Sequence, residues 1–66
     1  MPDLVVNLKQ IRTDRGLTQA ELAAQVGVSR KTVNTVENGV FVPSTVLALR
    51  LAQVLHVTVE ELFQLP

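Results

Sequence analysis

Arg30, Lys31, Asn34, Thr35 and Asn38 are spaced so that, on a helix, they share one face opposite Val33 and Val36. The stripe combines cationic donors, side-chain amides and a hydroxyl that carries a methyl group. Such groups can read base edges: Arg or Lys donates to guanine O6 and N7, Asn pairs with adenine N6 and N7, and Thr sets its methyl against thymine. A merely solvated helix face is the ordinary alternative. Charge placement separates the two, because Arg30 and Lys31 fill the first helical turn, where each cation opposes the helix dipole by about 0.3–1 kcal/mol. Folding alone would favour acids there, and a residue that breaks a local rule without structural gain is a candidate for function.

The elements that must hold this stripe are legible from caps and periodicity. Leu4, Leu8 and Ile11, with Val5 adjacent, recur at helical spacing from an Asp3 N-cap to Gly16, which predicts a first helix. Thr18-Gln19-Ala20-Glu21 reads as a capping box opening a second helix, with Leu22, Ala23 and Val26 as its buried stripe and Gly27 as its end. Ser29 caps the third, which Asn38-Gly39 closes. After Pro43, Ser44 caps a fourth whose apolar face is Leu47, Ala48, Leu51, Ala52 and Leu55. His56 stands where Gly commonly ends a helix, and His is among the residues enriched at positive φ. Thr58 to Glu61 is a second capping box, opening a last short helix through Leu62 and Phe63. The expectation is an all-α, compact five-helix domain over residues 1–66, with no strand signal.

Helices two and three are joined only by Gly27-Val28-Ser29 and must turn sharply, as in a DNA-binding helix-turn-helix. Gln19, in the first turn of helix two, could use its amide with free backbone amides to hold a phosphate; its ordinary reading is an exposed Gln. Arg12 and Glu37 read either as an ion pair linking helices one and three or as two unrelated surface charges.

Composition narrows the function classes. The chain has 66 residues, no Cys and one His, His56, so a disulfide framework, a Cys-based metal site and a nucleophile–base pair are unsupported, and neither a metal, a cofactor nor an enzyme activity is expected. The amino terminus lacks a basic region followed by an apolar run, and no apolar stretch is long enough for a membrane span, so a cytoplasmic location without membrane contact is expected. Net charge is zero, but the basic residues fall between Lys9 and Arg50, densest at Arg30-Lys31, while Glu60 and Glu61 sit at the far end. With 47% apolar residues in so short a chain, part of the apolar surface is expected to be shared with a partner, making a homodimer.

Leu17-Thr18-Gln19-Ala20-Glu21-Leu22-Ala23, Gly27-Val28-Ser29, Val36-Glu37-Asn38-Gly39 and Pro43-Ser44, in this order and spacing, resemble the phage-repressor and Cro-type (XRE-like) helix-turn-helix transcriptional regulators. The resemblance spans about Leu8 to Phe63. It implies a lambda-repressor-like five-helix fold with helix three as recognition helix. Arg30, Lys31, Asn34 and Thr35 would then face bases, and Thr18, Gln19, Asn38 and Lys9 would contact phosphates. It also implies the Arg12–Glu37 ion pair, and a dimer on an inverted-repeat operator follows by analogy and symmetry. The sequence departs from the family pattern at His56, in its neutral charge and in the apolar Val40-Phe41-Val42 loop. No small-molecule effector domain is expected.

For the dimer interface the sequence offers Phe41, Leu62, Phe63 and Leu65, although for Phe63 the core is the stronger reading, because a small domain needs its few aromatics inside. The leading expectation is a sequence-specific regulator of transcription, a repressor that binds double-stranded DNA through residues 30–38. The alternative is a protein-interaction module of antitoxin or antirepressor type on the same scaffold, which would have no need of Arg30, Lys31 and Asn34 on one exposed face.

Overall fold

The computed structural model of the chain describes residues 4–66. Five helices follow one another: α1 (Leu8–Asp14), α2 (Gln19–Val26), α3 (Arg30–Glu37), α4 (Thr45–Leu55) and α5 (Val59–Leu62). Each contributes to one core, in which Leu8, Leu22, Val33, Val36, Leu51, Leu55 and Leu62 are almost wholly withdrawn from solvent. None of these helices is long and apolar enough to cross a membrane.

Local chemistry sets the helix boundaries. Ser29 and Ser44 accept from the backbone amides of Thr32 and Leu47, and the capping boxes at Thr18–Glu21 and Thr58–Glu61 are both formed. At the other ends, α1 to α4 close alike, with the second or third residue past the helix donating its N–H to a carbonyl five residues back: Leu17 to Arg12, Val28 to Ala23, Val40 to Thr35 and Val57 to Ala52. This closure needs left-handed backbone at the residue between, which Gly27 supplies at φ 86° and His56 at φ 57°. The apolar residue after the turn packs on the core at Leu17, Val28 and Val57, but Val40 is 78% exposed. The turn after α3 is therefore the one whose apolar residue does not reach the core.

The amino-terminal segment differs from its expected helical course. The Asp3 cap lies outside the described residues, and Val5–Val6 is a strand, β1, paired antiparallel with β2 (Phe63–Gln64), Val5 opposite Gln64 and Val6 opposite Phe63. Asn7 extends the link by donating its N–H to the Leu62 carbonyl at 2.8 Å, so α1 starts only at Leu8 and α5 stops before Phe63. Two β-branched residues side by side favour this extended course, and the pairing ties the two ends of the described chain together.

Glu21 accepts the Thr18 N–H at 2.9 Å. That bond, with the Thr18 hydroxyl, holds the Glu21 carboxyl below its ordinary pKa. The folded state thus keeps Glu21 ionised to lower pH than the unfolded chain does, and the associated stability is present above the ordinary carboxylate value and lost as pH falls through the depressed one. The gap in melting temperature between the wild type and Glu21→Gln, followed from about pH 6 to about pH 3, should begin to narrow as pH drops below the ordinary carboxylate value of about 4.3. A constant gap across that range would mean that the ionised box contributes nothing.

Candidate nucleic-acid interface

The turn between α2 and α3 is closed by hydrogen bonds and packing. Gly27 and Val28 both donate to the Ala23 carbonyl, at 2.8 and 3.0 Å, and half-buried Val28 packs against the core. Ser29 then opens α3, whose inner side is fixed by buried Val33 and Val36. Arg30, Lys31, Asn34 and Asn38 are left exposed, with Thr35 and Thr32 half-buried beside them. The first turn of α3 holds no acid, and among the described residues neither Arg30 nor Lys31 makes an ion pair.

Beneath this face lies a buried ionic anchor. The Arg12 Nε donates to Glu37 Oε2 at 2.6 Å and Nη2 to Oε1 at 3.2 Å, a forked contact, while Nη1 donates to the Leu17 carbonyl at 2.8 Å. The two side chains are 9% and 1% exposed. Through this pair the end of α1, the loop before α2 and the last turn of α3 are held as one unit.

Amides continue the network to the surface. Gln19 Nε2 donates to Glu37 Oε1 at 2.9 Å and to Asn34 Oδ1 at 3.3 Å, and Asn38 Nδ2 donates to the same Asn34 oxygen at 2.9 Å. Gln19 is thus tied to α3 by its donors, a link that no local sequence signal announced. Thr35 donates its hydroxyl to the Thr32 carbonyl at 3.0 Å, which leaves its oxygen lone pairs and methyl.

The residues singled out from the sequence fall into distinct places. Thr18, Gln19 and Arg30 line a shallow groove of about 410 Å³ with Arg12 and Leu17. Lys31 and Thr35 line a neighbouring one of about 390 Å³ with Val40 and Phe41. Lys9 is exposed on α1 and borders neither. Arg15, given no role from the sequence, donates from Nε to the Leu55 carbonyl at 3.0 Å, joining α1 to the end of α4.

The four residues offered for a dimer interface divide. Leu62 is fully buried and Phe63 is 9% exposed; both are spent on the core, as a small domain requires of its large side chains. Phe41 and Leu65 are exposed, as are Val42 of the apolar loop and Val46 and Leu49 of α4, the last two not singled out for an interface from the sequence. Val42 and Leu49 also border an open apolar groove of about 580 Å³ with Leu4, Pro43, Ala48 and Phe63.

Residues 8–62 match the helix-turn-helix family model. An uncharacterised HTH-type transcriptional regulator of Archaeoglobus fulgidus is 41% identical over 56 residues, covering 85% of this chain and 80% of that protein. The uncharacterised HTH-type transcriptional regulator YgzD of Bacillus subtilis is 38% identical over 58 residues, 88% of each chain. Among solved structures, the restriction-modification controller protein C.AhdI from Aeromonas hydrophila superposes with a TM-score of 0.79 at 38% identity, over 83% of either chain.

Proposed function

The chain belongs to the helix-turn-helix family of transcriptional regulators and has their DNA-binding fold, and from that premise we propose that it is a repressor that binds an inverted-repeat operator as a dimer. The observation that carries the reading is the α3 face, where Arg30 and Lys31 stand without acidic partners among the described residues, above a helix fixed from beneath by the Arg12–Glu37 pair. Arg30, Lys31, Asn34 and Thr35 meet base edges in the major groove, and Thr18, Asn38 and Lys9 meet phosphates.

With zero net charge, bulk attraction to DNA is weak, and affinity rests on where the cations stand. Two copies on adjoining half-sites, about one helical turn apart, supply the remainder. The surface available for pairing is the apolar set Val42, Val46, Leu49 and Leu65, 57–83% exposed in the single chain. Occupancy of the operator then represses by excluding polymerase.

The test is selection of the purified protein against a randomised duplex pool at about 0.15 M salt, near physiological ionic strength. An inverted repeat is expected among the retained sequences. Arg30→Ala should weaken binding to that site by about 1–3 kcal/mol while changing affinity for random duplex much less. Lys9→Ala should weaken both alike. Equal losses for Arg30→Ala on both duplexes would make Arg30 a phosphate contact, and a pool without enrichment would refute operator binding.

A further inference from the structure

The hydrogen-bond network beneath α3 does more than hold the helix: it decides which polar atoms remain free for DNA. Glu37 is forked by the Arg12 guanidinium, and an ionised carboxylate only accepts hydrogen bonds. The Gln19 atom 2.9 Å from Glu37 Oε1 must therefore be the amide nitrogen, which removes any ambiguity about which way this amide points. Its second hydrogen goes to Asn34, and because a nitrogen donates there, the Asn34 atom facing it is the carbonyl oxygen. Asn38 donates to the same oxygen. A carbonyl oxygen has two lone pairs, so Asn34 Oδ1 is saturated.

What is left over is unambiguous. Gln19 has used both hydrogens and keeps only Oε1, which accepts no hydrogen bond from any described residue and is not a buried unsatisfied atom. Asn34 has used its oxygen and keeps both hydrogens of Nδ2.

We propose that the Arg12–Glu37 pair sets the hydrogen-bond polarity of the reading face, making Gln19 an acceptor and Asn34 a donor toward DNA, so that Asn34 selects guanine over adenine. The inference rests on the DNA-binding reading and deepens it. Bidentate pairing of Asn with adenine needs Oδ1 to accept from N6–H while Nδ2 donates to N7, and here the accepting half is already consumed. Guanine presents two acceptors, O6 and N7, which the two free hydrogens of Asn34 can meet. Cytosine offers Asn34 only a donor and is rejected. Gln19 in turn presents an acceptor, which suits an exocyclic amine of cytosine or adenine and repels a phosphate oxygen, contrary to the phosphate role its place on α2 suggested. Glu37 touches no base in this scheme; it is a positioning residue acting through Gln19.

The test reads base preference, because a merely structural network would leave preference alone. Pool selection with the wild type and with Asn34→Ala identifies the base pair whose preference depends on Asn34. The wild type should favour guanine over adenine there by about tenfold or more. Asn34→Asp places an acceptor where the donor stood, and cytosine should replace guanine; the ratio among bases is read, since a new carboxylate weakens binding to every sequence. Gln19→Ala combined with Asn38→Ala removes both donors to Asn34 Oδ1 without touching the core. The amide is then free to turn, and the guanine-to-adenine ratio should fall toward one.

Adenine at that position in the wild type, no position that depends on Asn34, or an unchanged ratio in the double variant would each overturn the assignment while DNA binding stands. A wild type that enriches no sequence at all would instead remove the DNA-binding reading, and this inference with it.

Discussion

Arg12→Met is expected to cost about 3–5 kcal/mol of stability, because it strands the Glu37 carboxylate in a site where that side chain is 1% exposed. A chain of 66 residues has a total stability on the order of 3–10 kcal/mol, so the variant should be largely unfolded at moderate temperature or survive with a small margin. The Leu17 carbonyl and Gln19 lose their settings as well, the first directly and the second through a carboxylate no longer held in place. The double variant Arg12→Met with Glu37→Met should recover most of the loss, since apolar side chains of similar volume can replace a buried ion pair at little net cost. Urea unfolding of the three proteins decides the matter. Equal losses in the single and double variants would show that the pair contributes through its own attraction rather than through the penalty of breaking it. The rescued double variant should remain folded yet discriminate less between bases, because nothing then directs the Gln19 amide.

That separation between a fold that tolerates the change and a reading surface that does not reflects where the information lies. The caps at Thr18, Ser29, Ser44 and Thr58 and the left-handed ends at Gly27 and His56 are local, each decided within about one turn of chain, and all were legible in the sequence. The pairing of Val5–Val6 with Phe63–Gln64 was not, since each strand has two residues and its partner lies at the other end of the chain. Leu4, Leu8 and Ile11 carry a helical period that continues across a strand, and period alone could not show where the helix begins.

The candidate site divides in the same way. Side-chain type and spacing named Arg30, Lys31, Asn34 and Thr35, but the bonds from Gln19 to Glu37 and Asn34 depend on how α2 crosses α3, over separations of 18 and 15 residues. Spacing likewise left Arg12 and Glu37 open between an ion pair and two separate charges, and it was the family resemblance that paired them. Nor can an apolar residue near a chain end reveal whether it fills a core or faces a partner. Leu62 and Phe63 fill the core, while Val46 and Leu49 on the outer side of α4 are left without cover from the same chain.

Leu49→Glu is expected to abolish dimer formation while leaving the folded monomer nearly as stable as before. Leu49 is 57% exposed and Val46 beside it 59%, so a charge at position 49 meets water in the isolated chain and costs little there. In a two-fold interface each residue appears twice, so the substitution removes two leucines, each worth about 1.5–3 kcal/mol on full burial, and brings two carboxylates into the contact. Affinity for an operator with two half-sites should fall about 10²–10⁴-fold, the advantage of bringing two reading helices to DNA together. Affinity for a single half-site should be unchanged, because Leu49 borders neither groove beside α3. Sedimentation gives the oligomeric state and a fluorescence titration on one-site and two-site duplexes gives the affinities. A variant that stays dimeric would move the interface away from α4, toward Phe41 and Leu65. Parallel losses on both duplexes would mean that Leu49 supports the reading face itself, and the dimer would have to be argued anew from another surface.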